Sequence, residues 1–327
     1  MTEQRVLITG AAGQDGTILA RKLEGEGASV FGVIKPGTSL KRLQSYSPGT
    51  TIIEIDLSDT AGLKNLIGDV RPTQLFNFGG FTAPAESWTR EEEVRAINVD
   101  AVRVILETAH RMDASSRFLQ ASSSHIFEGT DRSPQDETFE LTPVSPYARS
   151  KAEALQIVRQ MRTDRGYFAV SAILYNHESP LRTENFVTRK VSRAVARIAA
   201  GQQTTLELGD VEVARDWGWA PDYVRAMRMM MLADHPQDFV LATGISHRLS
   251  FFVEKAFAAA GISQWRDLVV TEGSDRPVDT NKMVGDSRRA YRELGWRHTV
   301  DFDSMSAAMV AYDQALLKDP DLLWTDF

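Results

Sequence analysis

Cysteine is absent from the 327 residues. That excludes a disulfide scaffold, a thiolate nucleophile, cysteine-built zinc sites and iron–sulfur clusters. Histidine is scarce: the six (residues 110, 125, 177, 235, 247 and 298) show no metal-ligand spacing and no accompanying carboxylate cluster, so no metal is expected. Apolar runs stay well short of the roughly 20 residues that a membrane span needs. Positive charge is in deficit, with a net charge of −7, so neither nucleic acid nor an anionic membrane is an expected partner. A strand-like segment begins within five residues of Met1, which leaves no room for a secretory leader and predicts a cytoplasmic protein. There is no internal repeat and no low-complexity linker, and the length supports a core without covalent staples.

What is present is an alternation of short apolar runs with helical spacings. Strands are expected at 5–9, 29–34, 51–57, 74–78, 117–123 and 168–175, with helices near 59–70 and 91–113. Such alternation predicts an α/β fold, a doubly wound parallel sheet of the Rossmann type, with a smaller mixed C-terminal substrate domain. Residues 1–175, with returning segments near 215–245, form the expected dinucleotide-binding domain, and 176–327 the other. In the second half the pattern predicts helices at about 186–200, 221–233, 250–260 and 304–317, a strand pair around 204–214 and a strand at 238–242. The Met229–Met231 run falls in one of those helices and reads as core filling.

Gly10, Gly13 and Gly16 lie between the first strand and the first helix, spaced G-x-x-G-x-x-G. Glycines there let the backbone turn tightly and approach a pyrophosphate held at the positive end of the following helix. Gln14 and Asp15, inside the turn, join the expected cofactor set. The second strand ends at Lys35, with Lys41 and Arg42 beyond and no carboxylate, which favours the 2′-phosphate of NADP, with NAD the alternative. Asp56 and Leu57 end the third strand. Asp56 is placed either to reach an adenine amino group or to cap the next helix.

Tyr147 and Lys151 stand four apart at the start of a helix opened by Ser145-Pro146, so their side chains share a face. A neighbouring ammonium is expected to lower the tyrosine pKa and let it exchange a proton with a sugar hydroxyl. Ser122, Ser123 and Ser124 end the fifth strand, where one hydroxyl can bond the reacting oxygen.

With these motifs in order, the chain resembles the extended short-chain dehydrogenases/reductases, and among them the GDP-mannose 4,6-dehydratase family. The most specific segments are Asn176-His177-Glu178-Ser179-Pro180 and Asn185-Phe186-Val187-Thr188-Arg189-Lys190, with Leu208-Gly209, Arg215-Asp216-Trp217-Gly218, Ala242-Thr243-Gly244 and Arg276-Pro277 further on. The resemblance implies that Tyr147 and Lys151 are the redox pair, with Ser123 in the place of a catalytic threonine. It implies that Asn176, Val187, Lys190, Arg215 and Arg276 hold a GDP moiety, as cations and amides suit a diphosphate. Ser124, Glu178, Leu208 and Gly209 complete the expected substrate set, although Glu178 and Glu184 also read as ordinary loop carboxylates. Arg193 and Arg197 read as a solvated helix stripe. Trp217 and Trp219 flank the sugar side by family position, with buried packing the simpler reading.

Three places depart from the family pattern, one of them the loop Asn77–Ala83, which replaces a more polar, histidine-containing sequence. His125 stands where these dehydratases carry the glutamate that handles the C5 and C6 protons, and Phe127-Glu128 replaces the usual Tyr-Gly. The segment after the second strand is short and has Pro36 in place of one of two adjacent arginines, which bears on whether the chain forms homodimers or homotetramers. The sequence therefore supports three readings: a GDP-hexose 4,6-dehydratase with His125 as the base, a 4-ketoreductase or epimerase confined to C4, or a non-catalytic nucleotide binder. Histidine titrates near neutrality and suits the first.

Overall fold

The structure is a computed structural model that describes residues 4–271 and 283–326. Its strands are β1 (Arg5–Thr9), β2 (Ser29–Ile34), β3 (Thr51–Glu54), β4 (Gln74–Asn77), β5 (Arg117–Ala121), β6 (Ala169–Leu174), β7 (Asn176–Glu178), β8 (Leu206–Leu208), β9 (Ala214–Trp219), β10 (Phe239–Leu241), β11 (Ser246–Arg248) and β12 (Val269–Thr271). The helices are α1 (Gln14–Gly25), α2 (Lys41–Tyr46), α3 (Thr60–Val70), α4 (Glu91–Arg95), α5 (Ala101–Met112), α6 (Pro146–Arg165), α7 (Val187–Ala199), α8 (Ala220–Leu232), α9 (Leu249–Ala259), α10 (Arg288–Leu294) and α11 (Phe302–Leu316).

Seven strands form one parallel sheet in the order β10-β6-β5-β4-β1-β2-β3. The chain reverses its direction of travel across the sheet between β1 and β4. That switch point leaves a crevice at the carboxyl ends of both strands. Side chains alternate across β1: Val6 and Ile8 join Ile18, Leu19, Met227 and Met230 on one face, while Leu7 joins Leu63, Ile67 and Leu106 on the other. Met230 and Met231 are fully buried, and Met229 packs against the same core.

Helix starts follow the local chemistry. The Ser145 side chain accepts from Ala148 N at 3.1 Å and Pro146 takes the first turn of α6. Asp59, not Asp56, caps α3 by accepting from Gly62 N at 2.9 Å. Between α4 and α5 the expected single helix of 91–113 is interrupted by a π-helical segment, Ala96–Asp100.

The second half corrects the sequence reading more often. No strand pair forms within 204–214. Instead β8 pairs with β12, and β9 lies between β7 and β11 in a three-stranded sheet. Short strands whose partners come from far along the chain carry no local periodicity. β10 and α8 return to the large sheet, β10 beside β6 and α8 against α1.

Candidate active site

The crevice begins at the glycine turn. Gly10 has φ +67°, and a Cβ there would come within 2.7 Å of the Gly79 nitrogen. A Cβ on Gly16 would meet the Gly10 carbonyl oxygen at 2.4 Å, so the turn closes only with glycine. Gly13 is the N-cap of α1, and no side chain caps that helix end. Its first amides are thus offered outward, as an anion site requires. Over the turn lies a cavity of about 510 Å³ lined by Gly10, Gly13, Lys35, Asp56, Leu57 and Gly79. Ser122 Oγ, at the end of β5, is buried without a hydrogen-bond partner. The cradle, the open helix end and the orphaned hydroxyl fit a dinucleotide.

At the outer lip Lys35 faces Asp56 at 3.7 Å. Asp56 Oδ1 accepts from the nitrogen and the hydroxyl of Ser58 at 3.0 and 2.8 Å, and these bonds hold the carboxyl below its ordinary range. Deeper in, a polar relay crosses three adjacent strand ends. Gly79 N donates to Thr9 Oγ1 at 2.9 Å, Thr9 donates to Asn77 Oδ1, and Asn77 Nδ2 donates to Gln120 Oε1 at 2.7 Å.

The catalytic candidates come together at the end of β5. Ser123, Tyr147 and Lys151 are all buried, and the Ser123 hydroxyl lies close enough to the Tyr147 phenol to pull its pKa down. Lys151 Nζ lies 5.8 Å from the centre of the Tyr147 ring and donates to the Ala121 carbonyl at 3.2 Å. Burial draws the Lys151 ammonium down to about 8. The expected lowering of Tyr147 is not met in the ligand-free chain: burial pushes the phenol up, against opposing pulls from Ser123 and the Arg182 guanidinium. Lys151 and the cavity meet at Gly80, where a Cβ would come 3.4 Å from Nζ.

His125 stands edge-on to Tyr147, with ring centres 5.5 Å apart at 81°. It sits on the turn Ser124–Phe127, in which Ser124 is buried. His125 Nδ1 contacts Glu128 Oε2 at 2.8 Å, and Nε2 makes no hydrogen bond among the described residues. Glu128 Oε1 accepts from the backbone nitrogens of Val144 and Ser145. Burial would raise the Glu128 carboxyl, but its bonds to His125 and Ser145 hold it at about 2, so it is ionised.

Several expected ligand residues are put to other uses. Gln14 is buried, donates to the His177 carbonyl at 3.1 Å and accepts from the Ser179 hydroxyl at 2.7 Å. Asp15 contacts His177 Nε2 at 2.9 Å. Both side chains therefore tie the glycine turn to the Asn176–Pro180 segment. Glu178 acts as an internal anchor: it is 1% exposed, accepts from Thr188 Oγ1 at 2.6 Å and pairs with Arg182 at 3.2 Å. Arg189 is buried against Asp313 and is no part of a solvated stripe. Arg193 and Arg197 both reach Glu184. Trp217 and Trp219 are buried, Trp217 against Phe252 and Phe302 and Trp219 against Trp324.

Of the remaining GDP-side candidates, Asn176 and Arg215 lie on paired strands, Val187 and Lys190 on the first turn of α7, and Leu208 and Gly209 at the end of β8. Lys190 and Gly209 are exposed, whereas Leu208 is buried. Arg276 lies outside the described residues.

Two contributors, Asn98 and Glu128, escaped the sequence reading or were not given a role in it. Asn98, buried in the π-helical segment, accepts from Phe81 N at 2.9 Å and donates to Ser150 Oγ at 3.0 Å, which fixes the Gly80 wall beside Lys151. The signal is geometric, since π-segments gather at functional sites but have no periodicity of their own. Arg42 makes no ion pair among the described residues and lines a second cavity, of about 810 Å³, that meets the first at Ala12 and Thr38. Glu128 was visible as a departure from the family, and its contact with His125 supplies the use.

A family model described as GDP-mannose 4,6 dehydratase matches residues 7–309. The Arabidopsis thaliana protein GDP-mannose 4,6 dehydratase 2 is 35% identical over 95% of this chain and 87% of its own length. Among solved structures, Thermus thermophilus UDP-glucose 4-epimerase in complex with NAD superposes with a TM-score of 0.84 at 21% identity, covering 95% of this chain and 99% of that one. RMD from Pseudomonas aeruginosa, complexed with NADPH, gives 0.77 at 20% identity, covering 96% of this chain and 98% of that one. These two likenesses establish a common fold.

Proposed function

The chain belongs to the GDP-mannose 4,6-dehydratase family, and from that premise we propose that it removes water across C5 and C6 of a GDP-hexose, GDP-mannose first, with His125 as the base. The observation that carries the reading is the single cluster of Ser123, Tyr147, Lys151 and His125 at the end of β5, joined to a dinucleotide cradle through Gly80. We assign residues 1–175, with the segments near 215–245, to the cofactor half and 176–327 to the nucleotide-sugar half.

A nicotinamide dinucleotide, held by the Gly10–Gly16 turn and the cavity over it, would supply a hydride acceptor and donor for C4 and C6. Tyr147, with Ser123 beside it, takes the proton of the C4 hydroxyl; Ser123 and the Arg182 guanidinium pull toward the phenolate against burial, and Lys151 Nζ lies 5.8 Å from the ring centre. Oxidation at C4 acidifies C5–H. His125 Nε2 removes that proton and the C6 hydroxyl leaves. The imidazolium returns the proton to the leaving oxygen, so water departs and the imidazole is neutral again. Tyr147 then gives its proton to C5. The balance is GDP-mannose to the 4-keto-6-deoxy sugar and one water.

NADP is the form we propose, because Lys35 and Arg42 are the cations nearest the expected 2′-phosphate and Arg42 has no carboxylate partner among the described residues. We also propose a homodimer or homotetramer. Trp88, 57% exposed beside α4, offers a second copy an apolar foothold, and sedimentation measures the mass.

Incubation with NADP and GDP-mannose deuterated at C4, followed by mass spectrometry, tests the reaction. Loss of one water with deuterium retained at C6 is expected. Unchanged mass would overturn the dehydratase reading in favour of chemistry confined to C4, which is the alternative that His125 raises by replacing the family's glutamate.

A further inference from the structure

We infer that Glu128 is a positioning residue for the elimination step, holding the His125 imidazole in the one tautomer that leaves Nε2 free to act as a base. The inference rests on the dehydratase reading above.

The two residues are two of the three departures from the family pattern on one short turn. One hydrogen bond of 2.8 Å joins them. An ionised carboxylate only accepts, so the proton between them sits on His125 Nδ1. In the neutral ring Nε2 then carries a lone pair, and it is the nitrogen with no hydrogen bond among the described residues. The other oxygen of Glu128 accepts from Val144 N and Ser145 N, at the entry to α6, the helix that carries Tyr147 and Lys151. One carboxylate therefore sets the ring of the base and the helix start of the redox pair in a common frame. Where the family resemblance implies a carboxylate at position 125, this chain has one three residues further on, behind the histidine.

The step balances within this pair. As His125 Nε2 takes the C5 proton, the C5–H electron pair becomes the C5–C6 double bond and the C6–O bond breaks toward oxygen. The imidazolium keeps its Nδ1 proton on Glu128 and returns the Nε2 proton to the leaving oxygen as water. The Glu128 charge stabilises the imidazolium between these events.

Glu128→Gln is the informative variant. Two backbone N–H groups face Oε1, so the amide must present its oxygen to them and its NH₂ to His125. Nδ1 then has to accept, which drives the ring proton to Nε2 and occupies the base. The capping of the α6 entry is retained, so a purely structural role predicts little change.

The expected result is a fall in kcat for water loss of about 100-fold or more, as a wrong tautomer produces in a related catalytic arrangement, with KM within about threefold. Imidazole ¹⁵N shifts should place the His125 proton on Nδ1 in the native enzyme and on Nε2 in the variant. Glu128→Asp should recover part of the rate. The titratable and charged groups facing this turn are Glu128 itself, Tyr147 and Lys151 from α6, and Arg182, whose field reaches Tyr147. Water loss by Glu128→Gln at the native rate, or an unchanged ¹⁵N pattern, overturns the inference. Absence of water loss in the native enzyme instead overturns the proposed function. The ¹⁵N pattern still reports the Glu128 contact in that case, so the two failures are distinguishable.

Discussion

The described residues hold two imidazole–carboxylate pairs of nearly equal length, His125 with Glu128 at 2.8 Å and His177 with Asp15 at 2.9 Å, that differ in how the second ring nitrogen is used. At His177 both nitrogens are committed: Nδ1 contacts the Tyr175 carbonyl at 2.8 Å and Nε2 the Asp15 carboxylate. Neither acceptor has a proton to give, so the ring donates twice and is an imidazolium. It is buried and stacked on Tyr223, with ring centres 4.7 Å apart. Burial opposes the charge, but Asp15 raises the imidazole, and the imidazolium in turn holds Asp15 below its ordinary range despite burial. At His125 one nitrogen is held and the other is left over. An imidazole with both nitrogens committed is a fastener, and one with a nitrogen to spare is a reagent.

The largest effect expected to separate the pairs is on turnover. His125→Ala should lower kcat by about 10²- to 10⁴-fold, the usual worth of a general acid–base group. Its denaturant midpoint should stay close to native. Equal turnover in this variant would remove His125 from the chemistry.

Next comes stability. Asp15→Asn strands a buried imidazolium and should cost about 3–5 kcal/mol at pH 5 by denaturant unfolding. The contribution of His177, whose folded pKa is raised, is complete below about 6.5 and is lost as pH rises through the folded value. That of Asp15, whose folded pKa is depressed, is complete above about 3.9 and is lost as pH falls through the folded value. The gap between native and Asp15→Asn should thus be widest between about pH 4 and 6.5. A gap that grows toward pH 8 would refute the charge assignment.

A smaller effect is expected at the cofactor lip. Arg42→Ala should weaken NADP relative to NAD by about tenfold, the order set by losing one charge-assisted bond to phosphate. Fluorescence titration with both dinucleotides measures the ratio. Smallest is a pH limb: Lys151 held at about 8 should make kcat/KM fall as pH rises past that value, with Lys151→Arg moving the limb upward.

Legibility followed the range of the interactions. The six strands expected in the first half are all present, because each buries a local apolar run against its neighbours and announces itself by period. Their ends are less exact: the strand expected at 51–57 stops at Glu54. The three-residue strands β7, β11 and β12 were missed, since three residues are too few for a period and their partners lie far off in the chain. The same holds within the site. Tyr147 and Lys151 were found from i, i+4 spacing and Gly10–Gly16 from a turn motif, both local rules. The uses of Gln14, Glu178 and Arg189 were not visible, because their partners His177, Thr188 and Asp313 are non-local or depend on how the chain folds back.

By itself the sequence determined the alternating α/β architecture, the glycine cradle, the tyrosine–lysine pair and the family. The cradle and the pair depend on backbone sterics and on spacings within about one helical turn, the architecture on the alternation of local periods, and the family on the resemblance of motifs spread along the chain. Tertiary structure decided which polar groups are spent and which are free. A histidine and a carboxylate read the same in any chain, and only their burial and the count of their hydrogen bonds made His177 a clasp and left His125 Nε2 without a hydrogen bond among the described residues.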